Sequence, residues 1–394
     1  MSIEIRRQPA AASRLPALVG ALALAVALGA LHAFSVLLEP LERQLGADRA
    51  AISLVYSLAI ITLTAGVLMS GRLQARLRPD LLAVGVAAIA GSGLGIAATA
   101  ASYGLVLVGY GAMFGFANGV GYSLFLRQAQ RAMPGRIGLA VGLTTAAYAV
   151  GAMLFSWALT AYHGERTASA GLLWMAAGVV AAGFAGSYAF RGIEADATLG
   201  AIEPAEGRVS RKVVIVLWVV YLLGATGGLM AIAHAAGIVA ALGGDGLLIA
   251  LSATILALGN VVGSLAGGRI ADTLAPHSSL SGTIALGAIA TLALSVVTSP
   301  VVAVMLLAMA GFAYGALIAL IPAVIGHLAP ENARATVFGR VFTAWGLAGL
   351  AGPWGAGAIY DETGAYPMAL LMASALSALG AGLALVLLAQ PARA

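Results

Sequence analysis

The chain has 394 residues, 61% of them hydrophobic and only 9% charged, with a mean hydropathy of +1.00. A soluble domain of this length cannot hide so much apolar surface, so lipid must act as solvent for much of it. The absence of cysteine excludes disulfides, thiolate catalysis and cysteine-ligated metal centres, while the net charge of +5 sits in short loops, as membrane orientation requires.

A spanning helix needs roughly 20 mostly apolar residues. Twelve such segments follow one another, at 16–39, 50–71, 80–100, 103–126, 136–161, 169–190, 212–237, 246–270, 278–298, 300–327, 336–360 and 365–389. Alanine, leucine and glycine dominate and period-2 alternation is absent, so these are helices and not barrel strands. In soluble helices each glycine costs about 1 kcal/mol against alanine, whereas in lipid small residues let helix backbones approach closely. The first run lies behind Arg6, Arg7 and Arg14 and continues to about Leu38 without a convincing cleavage site. It reads as a span and not as a signal peptide.

With the N-terminus in the cytoplasm, 17 of the 20 basic residues fall inside, and only Arg43, Arg49 and Arg166 fall outside. That asymmetry predicts a multi-pass inner-membrane protein with both termini cytoplasmic. The one long polar stretch, 191–211, carries Glu194, Asp196, Glu203, Pro204 and Glu206 and separates a first half (1–190) from a second (212–394). The halves echo each other: Gly71-Arg72-Leu73 ends span 2, and Gly268-Arg269-Ile270-Ala271-Asp272 ends span 8. The expected fold is all-α, twelve transmembrane helices in two six-helix pseudo-repeats.

This pattern resembles the major facilitator superfamily, whose halves are parallel repeats about a midplane site. Several stretches are similar to its monocarboxylate and oxalate/formate transporter group. They are His32 to Gly46 with Ser53 and Tyr56, Arg136 to Gly142, Gly259-Asn260-Val-Val-Gly263, and Gly352-Pro353 with Ile359-Tyr360-Asp361-Glu-Thr-Gly364-Ala-Tyr366. The resemblance implies one central cavity lined by spans 1, 4, 7 and 10, and transport of a monocarboxylate or related organic acid. Two cationic anchors of the group are replaced, by Ser264 in span 8 and Trp345 in span 11, which argues against a dianion. Ala75 stands where the superfamily usually has an acidic gate residue; Asp272 keeps the counterpart.

Ionisable side chains at bilayer depth are functional candidates by default, and here no Asp or Glu lies near a span centre. A carboxylate proton relay is therefore not expected, and a cationic substrate would find no counter-charge. His32 lies about 24 Å along span 1 at 1.5 Å per residue. It can hold a carboxylate when protonated, or rest neutral against a neighbouring helix. His234, in outer span 7, is read as a substrate contact or a gate. Asn118 and Asn260, near mid-depth, either bind substrate or stitch helices. Tyr122, Tyr148, Tyr314 and Trp345 are too deep to anchor to headgroups, so they line a cavity or fill the bundle. Gly71, Arg72, Arg76, Arg269 and Asp272 form the expected cytoplasmic gate set, with Asp272 pairing near the end of span 8.

Gly91-Ser-Gly-Leu-Gly95 is no phosphate loop, since no strand precedes it and no lysine follows. No histidine pair has metal-ligand spacing with a carboxylate at depth. A monomeric secondary transporter is expected, without cofactor or nucleic-acid partner. Its partners would be the lipid bilayer, a small organic substrate and a proton as candidate co-substrate. Export of a hydrophobic metabolite or drug is the alternative; an enzyme or a passive channel would be the other classes.

Overall fold

A computed structural model describes residues 11–133, 136–161, 168–193, 209–329 and 331–388. Residues 194–208 of the polar stretch lie outside the described residues, as do Arg6, Arg7, Arg166 and Arg393 and the side chains of Asp272 and Arg334. Among the described residues there is no strand. Span 1 is made of α1 (Ala11–Leu28), a 3-10 turn (Gly29–Ala33) and α2 (Ser35–Leu45). Spans 2 and 3 are α3 (Arg49–Arg76) and α4 (Pro79–Ala98). Span 4 is α5 (Tyr103–Val106), a wider π segment (Leu107–Phe114) and α6 (Gly115–Ala132). Then come α7 (Ile137–Ala161), α8 (Ala168–Ala189), α9 (Arg211–Ala241), α10 (Gly246–Thr273), α11 (Pro276–Val296), α12 (Pro300–Leu328), α13 (Glu331–Thr363) and α14 (Pro367–Leu388).

Eleven helical segments among the described residues are long and apolar enough to cross a membrane. The remaining expected span, α13, has 33 residues and is free of charge from Val341 to Tyr360. Its glycines lower its hydropathy, because its neighbours are α3 and α9 more than lipid. Elsewhere Leu81, Phe184, Leu265, Met305 and Leu379 are more than half exposed on the outer surface. Such a surface needs hydrocarbon around it, and the helices satisfy their own backbone groups as hydrocarbon demands.

The halves are built alike. In the first, α1 packs on α6, α7 and α8, α3 on α6, and α4 on α8. In the second, α9 packs on α12, α13 and α14, α10 on α12, and α11 on α14. The repeat extends to single glycines. A Cβ on Gly115 or Gly119 would strike the carbonyls of Ala59 or Leu63, and one on Gly311 or Gly315 those of Leu256 or Asn260. These four glycines let α6 and α12 seat directly on the backbones of α3 and α10. The two halves then meet along α3 with α13 and α7 with α10, and at one end α2 also lies on α9. That end carries the α2–α3 junction and is called the Arg49 end below.

Candidate functional site

The break in span 1 is where the first half begins to build a site. At this depth no water is at hand for main-chain groups, so side chains from span 4 attend to them. Asn118 Nδ2 donates to the Leu28 carbonyl (2.7 Å), and the Tyr110 hydroxyl donates to the Leu31 carbonyl (2.9 Å). Gly29 lies against the Tyr148 main chain, where a side chain would not fit. Asn118 Oδ1 in turn accepts from the Tyr148 hydroxyl at 3.0 Å. The turn is thus fixed between α6 and α7, with His32 presented from it.

His32 Nδ1 lies 2.6 Å from the Tyr56 hydroxyl of α3, and its ring meets Tyr148 edge-on at 5.5 Å between centroids. With Tyr56 donating, the neutral imidazole carries its proton on Nε2 and offers it to the cavity that His32 lines. This cavity, about 50 Å³, is shared by both halves. His32, Leu63, Tyr122, Thr145 and Tyr148 come from the first half; Asn260, Ser264, Tyr314, Phe342 and Trp345 come from the second. Among the described residues no Asp, Glu, Lys or Arg side chain lines it. The single Ser264 hydroxyl proton is shared between Asn260 Oδ1 and the Gly315 carbonyl, both at 3.3 Å, which leaves the Asn260 amide N–H groups for the cavity. The Trp345 indole donates to the Tyr314 hydroxyl oxygen at 2.8 Å, leaving the Tyr314 proton. Phe342 stacks on Trp345 (5.1 Å) and faces Tyr122 across the seam (6.5 Å). The result is an aromatic slot whose walls carry neutral donors.

Of the residues singled out in the sequence, His32, Tyr122, Tyr148, Asn260, Ser264, Tyr314 and Trp345 meet in this cavity. Asn118 stands behind it, holding Tyr148 and the span 1 turn. His234 is elsewhere, in a second cluster at the Arg49 end. There Arg49 forms a two-pronged ion pair with Glu42 (2.6 and 2.8 Å), lies over the Tyr360 ring (4.1 Å), and donates to the Tyr366 hydroxyl at 2.8 Å. Tyr366 lies 3.2 Å from His234 Nδ1, and His234 Nε2 donates to the Pro353 carbonyl at 2.9 Å, with Ser53 Oγ at 3.4 Å. The donors run in one direction: Arg49 to Tyr366, Tyr366 to His234, His234 to Pro353. Asp361 of α13 completes the cluster. Its carboxylate accepts from the backbone N–H of Arg49 (3.1 Å) and Ala50 (2.7 Å), the first residues of α3. Asp48, the residue in the capping position of α3 itself, makes no such bond. The second half therefore caps a helix of the first, where the helix dipole favours a carboxylate.

At the opposite end Gly71, Arg72, Arg76 and Arg269 lie on the last turns of α3 and α10, with the three arginines exposed. The Asp272 side chain, expected to pair there, lies outside the described residues. Sequence reasoning missed Phe342 and Thr145 as cavity walls and Tyr56 as the partner of His32. It also missed a signal in plain view. Gly115-Phe-Ala-Asn-Gly119 and Gly311-Phe-Ala-Tyr-Gly315 are the same motif in spans 4 and 10, and they set Asn118 and Tyr314 at equivalent positions.

A crystal structure of the nucleoside transporter NupG superposes on this chain with a TM-score of 0.76 at 12% identity, over 94% of this chain and 98% of that one. The chain has the major facilitator fold. The family model described as Major Facilitator Superfamily matches residues 213–394, the second half of that fold. In all, 286 solved chains match, whereas no curated protein sequence does.

Proposed function

We propose that this protein is a secondary transporter that moves a small organic solute through the central cavity by alternating access. The observation that carries this reading is that cavity's construction: the lining of one small slot at the seam comes from both of two halves that repeat each other. Rocking of the halves exposes such a slot to one side and then the other. The solute we favour is a monocarboxylate or related organic acid with a planar apolar body. Its acceptor oxygens would meet His32 Nε2, the Asn260 amide and the Tyr314 hydroxyl, with its body between Tyr122 and Phe342. The lack of an acidic side chain in the slot disfavours a lipophilic cation. A nucleoside is the second reading, favoured by an amide and stacked aromatics in a fold shared with a nucleoside transporter. We further propose that the Arg49 end faces the periplasm, both termini face the cytoplasm, and this conformation is closed to the periplasm.

Proteoliposomes containing the purified protein decide among these. Counterflow of benzoate or lactate supports the first reading, and counterflow of uridine alone replaces it with the second. Uptake of tetraphenylphosphonium alone would overturn both. Reporter fusions after Arg78 and Arg340 should read cytoplasm, and fusions near Gly46 and Glu362 periplasm.

A further inference from the structure

A second void, about 10 Å³, lies inside the second half among α9, α11, α12 and α14. It has room for about one water molecule. Its lining includes Gly227 and Gly228 of α9, Gly287 and Thr291 of α11, and Ser377 of α14. Tyr314 of α12 completes it, and Tyr314 also lines the central slot. It is the one described residue common to both linings, so the two spaces meet at a single side chain.

The void offers little to a polar guest. The Thr291 proton is shared between the Gly287 and Ala288 carbonyls (3.0 and 3.1 Å), and that of Ser377 is directed at the Leu223 carbonyl (3.4 Å). Nor does tight packing demand glycine at position 227. A Cβ there would meet Ser377, Thr291 and Ala373 at 3.4, 3.5 and 3.7 Å, and one on Gly287 would meet Ala313 at 3.5 Å. These are ordinary contacts, and alanine is the better helix former. Atoms around such a void also forfeit dispersion contacts. Gly228 is different. A Cβ there would strike the Tyr314 ring, so the ring lies on the α9 backbone with no side chain between.

The other aromatic walls of the slot are backed by rings. Phe342 stacks on Trp345 at 5.1 Å, and Tyr148 packs against Tyr122 and Phe125 at 5.9 and 6.2 Å. A solute larger than the slot must move a wall, and Tyr314 is a wall with free space beside it. We propose that Tyr314 sets the size of solute that the slot accepts, its ring yielding toward the void by the width of one small substituent. A planar acid the size of benzoate is taken with the ring in place. One carrying a single methyl-sized group on its ring is taken with Tyr314 displaced, and the void limits how far it moves. This inference rests on the transport reading above and names the solute class of the same slot.

Counterflow in proteoliposomes tests it, with benzoate compared with the 2-, 3- and 4-methylbenzoates, or uridine with 5-methyluridine if uridine is the solute that counterflows. The parent protein should accept the parent solute and at least one methylated form with half-saturation values within about 3-fold, whereas a rigid pocket discriminates one such carbon by about 10- to 200-fold. Gly227→Ala fills the void from α9 and Gly287→Ala fills it from α11, neither touching the slot. Each should raise half-saturation for the methylated solute by about 10-fold or more while that for benzoate or uridine stays within about 2-fold. Because Tyr314 is the residue the two spaces share, a selective effect of filling one on the other passes through its ring. Counterflow of the parent solute but of no methylated form overturns the yielding wall and keeps the transport reading. So does an equal effect of both variants on both solutes, or no effect on either. Counterflow of neither benzoate nor uridine by the parent protein overturns the transport reading and this inference with it.

Discussion

The two buried histidines show how one residue type serves two purposes in this bundle. His32 and His234 are each buried beside a tyrosine hydroxyl, yet their surroundings differ. His32 takes its partners, Tyr56 and Tyr148, from its own half and keeps one nitrogen for a cavity. His234 has both nitrogens engaged, in a chain that begins on Arg49 of the other half. A group with a spare valence facing a cavity suits a ligand. A group saturated across an interface suits a latch.

The comparison is broken most forcefully at Arg49. Removing one partner of a buried ion pair costs about 3–5 kcal/mol, and the Arg49 and Glu42 side chains are only 11% and 16% exposed. Arg49→Ala should therefore open the Arg49 end and lower Tm, raising maleimide labelling of Ser53→Cys by an order of magnitude or more. Unchanged labelling would mean that the cluster does not hold this end shut. The histidines themselves come next. His234→Ala should raise the same labelling by about 10-fold while central-site affinity holds, since lost hydrogen bonds are worth about 1 kcal/mol each. His32→Ala should do the reverse: weaken solute binding by about 10-fold without altering Ser53→Cys labelling. If both variants changed both readouts alike, the division between ligand contact and latch would fail. The smallest effect is expected at Tyr56→Phe, which keeps the ring beneath Phe34 but frees His32 to turn. Affinity should fall about 3-fold, and the His32→Ala, Tyr56→Phe double variant should fall no further than His32→Ala alone.

Much of the architecture was legible because lipid imposes a simple rule. A run of about 20 apolar residues must be a helix, and its flanking arginines predict its direction. The depth of His32, Asn260, Tyr314 and Trp345 could be read the same way, and these residues do converge. What depth cannot supply is azimuth. Asn118 and His234 lie on cavity-lining spans at suitable heights, yet one is turned toward the Leu28 carbonyl and the other toward Tyr366. In a helix that is apolar all round there is no polar stripe to reveal which side faces the seam. The repeated Gly-Phe-Ala-x-Gly motif was the available guide, because glycines that touch a neighbouring backbone fix a helix's rotation. The latch was hidden for another reason. Asp361 and Arg49 are 312 positions apart and sit at helix ends just beyond the apolar runs, which hydropathy treats as spacers.

The start of α3 has two aspartates available to it. Asp361 holds it now, while Asp48 already has the extended backbone of a capping residue, with φ −68° and ψ 159°, and leaves its carboxylate idle. Were the halves to part, Asp48 is placed to take over the Ala50 amide that Asp361 gives up, so the helix would keep a cap. Opening this end would then exchange one carboxylate for another at the helix start, losing one bond and not two. Such a handover keeps the two states close in free energy, which a shuttle that must visit both requires. Asp48→Ala should upset that balance from the far side, leaving the closed form favoured and turnover slowed while the closed conformation itself is untouched.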